Sequence, residues 1–337
     1  MDNLTHTLTG LMLARACKVG DAGVPKAPLL MMIAANIPDI DIVFGLQGAG
    51  PYLDQHRWIT HGMVVAPLMA FLAVALAWLF SRGKPYPWPR AWAYALLAVS
   101  SHLALDWTNV YGIRLMAPFA QQWFRLDATH VIDPWILAAL LLALCAPLLS
   151  KLVGSEMKGK GAQGPERGWA FFALLFVMFY DGGRFLAHAR AMAQLSAHTY
   201  GQGIPDRITA LPHGFNPLKW TGVVEQARSV ILVPVNISAE FDPTAGKTYY
   251  RAGAEWEWAV HAAESDPSFQ ALKRFSQLPF WKVTLVAEPE NAVRVTLMDL
   301  RFGNPAEPGF AASAIATKDG KLDQVKVLMG SVTKAFK

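Results

Sequence analysis

Cysteine is nearly absent from this chain: among its 337 residues only Cys17 and Cys145 carry thiols, in different apolar segments and with no CxxC pair. That count excludes a thiolate metal site and a disulfide framework. Charge is scarce too, with 16% charged residues against 53% hydrophobic ones and a positive mean hydropathy. Such a balance does not describe an ordinary soluble domain throughout. Internal repeats and low-complexity tracts are lacking, as is the HExxH helix of many metallopeptidases. The start of the chain has no cationic stretch ahead of its apolar one and carries Asp2 and His6 instead, which argues against a cleavable signal peptide.

What the chain has is long apolar runs, at 63–81, 91–105, 132–150 and 169–180, the last continuing less purely to 187. Each is close to the ~20 residues a helix needs to cross a bilayer. Two weaker segments, 4–19 and 27–46, carry polar residues that a plain span would avoid. The expected architecture is therefore an α-helical integral membrane domain of about six helices over residues 1–190, crossing near 4–19, 28–46, 63–81, 91–108, 132–150 and 169–187. With loops sorted on that basis, one side receives Arg15, Lys18, Lys26, Arg82, Lys84, Arg90, Lys151, Lys158, Lys160 and Arg167, and the other only Arg57, Arg114 and Arg125. The positive-inside rule then makes this a multi-pass protein of the bacterial inner membrane with both termini extracytoplasmic. The net charge of +5 reads as topology rather than nucleic-acid affinity, and Trp58, Trp88, Trp92, Trp107, Trp123, Trp135 and Trp169 at span ends read as an interfacial belt.

Against this hydrocarbon background stand seven metal-ligand-type residues: His6, Asp39, Asp41, His56, His61, His102 and Asp106, in the contexts LTHTLTG, NIPDID, HRWITH and HLALD. Imidazole and carboxylate together suit a divalent metal that polarises water and a substrate oxygen. A topology built from Lys and Arg alone puts all seven on the outer side.

Asn36-Ile37-Pro38-Asp39-Ile40-Asp41 is predicted to break a helix and present two carboxylates that bind one metal or bridge two. Solvated acids at a helix end would look the same, but two acids inside so apolar a stretch favour a function. His56 and His61 are five apart and share no helix face, so a turn must aim both inward. Arg57 between them has a fork that matches phosphate or carboxylate, although taken alone it reads as an interfacial arginine snorkelling to head groups. His102 and Asp106, at i and i+4, lie on one helix face, where Asp106 either ligates or holds the His102 tautomer. A structural His–Asp tie explains one such pair and not four motifs. His6 alone is an interfacial histidine, included for its shared side and for the resemblance below.

A second group on the same side comprises Asp127, His130 and Asp133. Asp133 before Pro134 reads as a helix cap, and His130 stays open. Asp181, Arg184 and His188 offer a phosphate-binding arginine and a further acid, or equally a structural ion pair between Asp181 and Arg184. Beyond residue 190 the apolar runs give way to alternation, with strands expected at 248–260, 282–287, 293–301, 310–317 and 321–329 and a hairpin turn at Asp319-Gly320. Residues 191–337 thus read as a small, mostly antiparallel β domain on the outer side, tethered by the Pro/Gly-rich stretch 201–217. The Gly/Lys stretch 154–168 reads as a flexible cytoplasmic connection.

The motifs TH-x3-G, N-x-PD-x-D, HR-x2-TH and H-x3-D, taken together, resemble the YdjM-like family of LexA-regulated, membrane-bound metal-dependent hydrolases over residues 1–190. That family is distantly similar to zinc-dependent phospholipase C. The resemblance implies phosphoester chemistry and metal binding by His6, Asp39, Asp41, His56, His61, His102 and Asp106. Gly62 departs from it, standing where a small hydroxylated residue is expected, and the β domain lies outside it.

The expected function is a membrane-bound hydrolase of a phosphoester, a phospholipid or lipid-linked phosphate, at the outer face of the inner membrane. Zinc, or a harder ion such as Mn or Mg, is the expected cofactor, in two or more copies because seven ligands exceed the three or four one zinc takes. Asp41 or Asp106 would orient the water, and Arg57 with Arg184 would neutralise phosphoryl oxygens. A metal-dependent peptidase or amidase is the runner-up. A transporter or metal-binding scaffold ranks below it, because the polar residues gather at one surface rather than at several depths.

Overall fold

The first helix starts where Asp2 caps it: its carboxylate accepts from Leu4 N at 3.1 Å, Thr5 N at 3.0 Å and Thr5 Oγ1 at 2.6 Å. The computed structural model describes the chain apart from residues 82–84, 157–165, 202, 331 and 336–337. Arg82, Lys84, Lys158 and Lys160, and most of the expected 154–168 connection, therefore lie outside the described residues. Two compact units emerge. The first takes in Met1–Ile40, Arg57–Ala189 and Pro212–Leu218; the second takes in Asp41–His56, Arg190–Leu211 and Lys219–Lys337.

The first unit is helical. Helices α1 (Asn3–Ala16) and α2 (Ala27–Ala34) cross closely at Gly10, where a Cβ would stand 2.5 Å from the Met31 carbonyl oxygen. The chain breaks after α2 as NIPDID predicts, and a 3-10 helix, Ile37–Gln47, takes over. Asn36 Nδ2 holds the break by donating to Met32 O at 2.8 Å and to Thr7 Oγ1 on α1 at 2.9 Å. A short α3 (Ala49–Gln55) of the second unit precedes a 3-10 turn, Ile59–His61, and α4 (Ala66–Leu79).

Small residues let α4 and α5 (Trp88–Thr108) pack closely: Ala70, Ala73 and Ala77 on one, Ala91, Ala95 and Ala98 on the other, all buried in one cluster. A second cluster joins Leu8 and Met12 of α1, Ile136 and Leu140 of α6 (Pro134–Glu156), and Ala170 and Ala173 of α7 (Glu166–Ser196). Asp133 is the cap its sequence suggests, accepting from Trp135 N at 3.0 Å and Ile136 N at 3.3 Å, and it also takes the Tyr180 hydroxyl at 3.1 Å.

Among the described residues α7 is long and apolar enough to cross a membrane. The pairs Ala27–Ala34 with Ile37–Gln47 and Ala49–His61 with Ala66–Leu79 pass the same test when each bent pair counts as one span. The outward face of α7 is apolar, with Phe171, Phe172, Leu175, Met178 and Phe179 exposed.

The second unit carries two antiparallel sheets. Strands β1 (Arg207–Pro212), β2 (Lys219–Gln226), β3 (Ser229–Asn236) and β4 (Lys247–Tyr250) lie in that order in one sheet. Helices α8 (Glu257–Glu264) and α9 (Pro267–Phe275) follow. A five-stranded meander completes it: β5 (Pro279–Leu285), β6 (Ala292–Asp299), β7 (Phe310–Thr317), β8 (Leu322–Met329) and β9 (Val332–Ala335). In β6 the buried Val293, Val295 and Leu297 alternate with Arg294 and Thr296, as one packed face requires. Gly320, at φ +81°, turns the β7–β8 hairpin where Asp319-Gly320 predicts.

Two expectations are corrected. Residues 248–260 are not one strand: β4 ends at Tyr250, and from Glu257 the chain is helical, burying Ala259, Ala262 and Ala263 at helical spacing. Tyr and Trp at 249, 250, 256 and 258 suit a pleated surface as well as a helix, which is why composition misleads there. The stretch 201–217 is not only a tether, since β1 runs through its centre.

Candidate metal centre

Three segments far apart in sequence meet in the first unit. Asp39 opens the 3-10 helix, His61 ends the turn before α4, and His102 and Asp106 stand one turn apart on α5. One ligand atom from each of these four lies within 4.8 Å of the other three. His102 Nε2 is 3.1 Å from His61 Nε2, 3.3 Å from Asp106 Oδ2 and 3.7 Å from Asp39 Oδ1. His61 Nε2 is 3.4 Å from Asp39 Oδ1 and 3.5 Å from Asp106 Oδ2. His61, His102 and Asp106 are fully buried and Asp39 nearly so.

The surroundings prepare these groups to receive a cation. The His102 Nδ1–H donates to Ala35 O at 2.8 Å, which leaves the Nε2 lone pair facing the cluster. Asp106 Oδ2 is buried without a hydrogen-bond partner, although two imidazole nitrogens approach it. Orphaned buried acceptors are costly unless something positive fills the gap. Two imidazoles and two carboxylates are a donor set that a tetrahedral zinc accepts, so the residues present fit a divalent metal.

His6 joins from α1. Its ring stacks on His102 with centroids 3.8 Å apart, and its Nε2 is 3.4 Å from Asp106 Oδ1. Both His6 nitrogens are buried without a hydrogen-bond partner. Gly10 stands one turn later on α1, and its lack of a side chain lets α1 approach α2 closely at that point. The TH-x3-G motif thus combines a ring that stacks on His102 with a glycine that permits the close α1–α2 crossing one turn on.

Arg57 reaches inward as well. It adopts a left-handed backbone, φ +54°, and its Nη2 donates to Asp106 Oδ1 at 3.0 Å while Nη1 donates to Gly112 O at 3.1 Å. Its guanidinium lies 4.3 Å from the Tyr111 ring centre. The Met1 nitrogen also faces Asp106 Oδ1.

Asp41 and His56 belong to the second unit, where they pair with each other, Asp41 Oδ1 to His56 Nδ1 at 3.0 Å. The His56 ring stacks on Tyr52 at 4.6 Å. Arg184 directs its Nε to Ala128 O at 2.8 Å and its Nη1 to Pro217 O. His130 Nδ1 accepts weakly from Ile132 N at 3.5 Å, and burial holds its pKa below the usual histidine range. Asp127 pairs with Arg125 at 2.7 Å.

Sequence reasoning missed Asn109. Its Nδ2 donates to Asp106 Oδ1 at 3.2 Å and its Oδ1 accepts from Tyr111 N at 2.8 Å, so it fixes the carboxylate and the turn after α5 together. Its place three residues past Asp106 was the available signal. Asn109→Ala is expected to weaken metal binding by roughly 10–100-fold, the usual effect of losing an outer-shell partner. A chelator competition titration measures this, and unchanged affinity would refute the assignment.

The profile of the YdjM inner membrane protein family matches residues 1–191, which contain every residue of this centre. An uncharacterized protein, YfhP, of Bacillus subtilis strain 168 is 24% identical over 322 residues, covering 93% of this chain and 90% of its own length. That match extends through much of the second unit as well. No solved structure matches. With more than half of its length matched to the profile, the chain belongs to the YdjM inner membrane protein family.

Proposed function

We propose that the protein is a metal-dependent hydrolase embedded in the inner membrane, acting on the phosphoester of a lipid or lipid-linked phosphate from the extracytoplasmic face. The observation that carries this reading is the convergence of Asp39, His61, His102 and Asp106, with Asp106 Oδ2 and both His6 nitrogens buried and lacking a hydrogen-bond partner. Membership in an inner membrane protein family supports the location. With the loops sorted on about six crossings, the asymmetry of Lys and Arg between them supports an orientation with the centre outside.

Asp39, His61, His102 and Asp106 would hold the metal, with His6 beside them. Zinc suits the donor set, and Mn or Mg are the alternatives metal analysis would separate. A divalent ion held there supplies Lewis-acid activation of water and of a phosphoryl oxygen. The reaction adds water oxygen to phosphorus, breaks the phosphorus–oxygen bond to the alcohol and returns a proton to that alcohol.

The chain's own residues do the rest. Arg57 sits beside Asp106, where a guanidinium neutralises developing charge on phosphoryl oxygens. His6, whose Nε2 lies 3.4 Å from Asp106 Oδ1, would exchange a proton at that atom with the attacking water or the leaving alcohol. Four ligands account for one ion. Asp41 and His56 form their own pair, and a second ion is a matter for stoichiometry.

The test is metal analysis of the purified protein together with hydrolysis of phosphoester substrates in detergent. At least one ion per chain is expected, and His61→Ala and His102→Ala should lose both the metal and the turnover. Protein free of stoichiometric metal, or turnover that survives both substitutions, would sink the proposal. Release of an amine or carboxylate rather than phosphate would turn the reading to a peptidase or amidase.

A further inference from the structure

The five-stranded meander of the second unit buries one face and leaves the other open. Val293, Val295 and Leu297 of β6, with Ala312, Ala314 and Ala316 of β7 opposite them, are buried on the side where α8 and α9 pack. The residues between them point the other way. On that outer face one row crosses neighbouring strands in register: Lys282 on β5 stands opposite Thr296 on β6, Thr296 opposite Ser313 on β7, and Ser313 opposite Lys326 on β8. Arg294, two residues before Thr296, adds another cation to the same face. Met298, Ala311 and Leu328, again in register, make an apolar flank beside the row. Together with Pro305 and Pro308 of the β6–β7 connection these residues line a pocket of about 380 Å³, a volume in the range of small-molecule sites.

Charge in this pocket is unbalanced, because no carboxylate is among the described residues that line it. Lys282 Nζ donates to Pro305 O at 2.9 Å, which leaves two of the three ammonium donors unused. Among the described residues, the side chains of Arg294 and Lys326 make no hydrogen bond or ion pair. The next row does end on a carboxylate, Asp323 opposite Ile315, but that group accepts from Gln324 N at 2.7 Å and pairs with none of the three cations. Lysine on an edge strand guards against sheet-to-sheet pairing, which accounts for Lys282 on β5. It does not account for Arg294 and Lys326, whose strands have neighbours on both sides. Arg294 is the diagonal neighbour of Lys282 across the β5–β6 pair, within roughly 8 Å, and like charges so placed repel until an anion stands between them.

We propose that this pocket binds a small soluble molecule carrying a phosphate group, with the phosphate over Thr296 and Ser313 and the carbon part against Met298, Ala311 and Leu328. A phosphate monoester brings a charge of about −1.5 to −2 and three acceptor oxygens, which suit three cations and two hydroxyl donors. A single carboxylate brings one charge and two oxygens. The arginine fork engages two phosphate oxygens at once, while the lysines act as point charges. The proposal is independent of the metal centre and of the hydrolase reading, since the lining residues lie between 282 and 328, beyond the profile match to 1–191.

The test uses phenylphosphonate, whose phosphorus–carbon bond a phosphoesterase does not cut, on the full-length protein in phosphatidylcholine nanodiscs. Acetylation of individual lysines by acetic anhydride is followed by mass spectrometry with and without the probe. Lys282 and Lys326 are expected to be protected, and Lys219, exposed on β2, is expected to react as before. In calorimetry, Arg294→Gln and Lys326→Gln should each weaken binding roughly tenfold, the worth of one hydrogen bond to a charged group, and added salt should weaken it further. Both residues are exposed, so neither substitution disturbs the packed face of the sheet. Benzenesulfonate, of the same shape and singly charged, should bind less tightly.

Equal protection of all three lysines, or benzenesulfonate bound as tightly as the phosphonate, would overturn the proposal. So would phosphonate that binds both variants unchanged and leaves Lys282 and Lys326 reactive, as it would if held at the metal centre. Protection of these two lysines by phosphatidylglycerol in the nanodisc, and not by the phosphonate, would make the face a membrane contact and overturn it as well.

Discussion

Asp106→Asn is expected to strip the protein of its metal and its turnover and to lower its stability, all from one oxygen-to-nitrogen exchange. Asp106 Oδ2 faces the Nε2 atoms of His61 and His102, while Oδ1 takes Arg57 and Asn109. The amide keeps the shape and removes the charge. Metal affinity should fall by more than the roughly 10–100-fold that loss of an outer-shell partner costs. Arg57, only 3% exposed, is left beside a neutral group, and removing one partner of a buried ion pair costs about 3–5 kcal/mol. Elemental analysis and thermal denaturation in detergent read the two effects independently. Retention of full metal stoichiometry would show that Asp106 is no ligand, and unchanged stability would show that Arg57 depends on other partners.

Gly62→Ala is expected to disrupt the segment that carries His61. A Cβ at Gly62 would stand 2.3 Å from the Ala117 carbonyl oxygen, 3.1 Å from the Ala117 carbonyl carbon and 3.3 Å from the Ile59 carbonyl oxygen. All three are backbone atoms, so no side chain can swing aside, and the strain falls on the segment that carries His61. Overpacking of this kind costs roughly 1–3 kcal/mol or more, and any relief moves a ligand. Lower thermal stability and weaker metal binding should appear together. Gly182→Ala on α7, where a Cβ meets nothing within 4 Å, is the control and should stabilise its helix by roughly 0.5–1 kcal/mol. If Gly62→Ala behaves like the control, the close approach does not exist in solution. The same geometry explains why this position departs from the hydroxylated residue the resemblance leads one to expect. Serine carries a Cβ too.

Much of the centre was legible because its signals are local. The i, i+4 spacing puts His102 and Asp106 on one face whatever the helix packs against. A proline inside NIPDID stops α2 wherever it lies, and the Asp133 cap and the Asp319-Gly320 turn involve only neighbouring residues. The strand 207–212 is hidden in sequence by the Pro/Gly-rich stretch around it, which suggests a tether, and the strands 219–226 and 229–236 are not among those expected. Their pairing is a relation between segments and leaves little trace in either one alone.

The sequence by itself determined that this chain is a helical, lipid-compatible region followed by β structure, and that imidazoles and carboxylates interrupt the apolar part. Which of those residues meet was decided only by the tertiary structure. His61 and His102 are brought to 3.1 Å across 41 positions of sequence, and the packing of α1 on α2 at Gly10 accompanies the stacking of His6 on His102. Asp41, two residues from Asp39, pairs instead with His56. Composition and period are properties of a segment, whereas a coordination set is a property of the closures between segments.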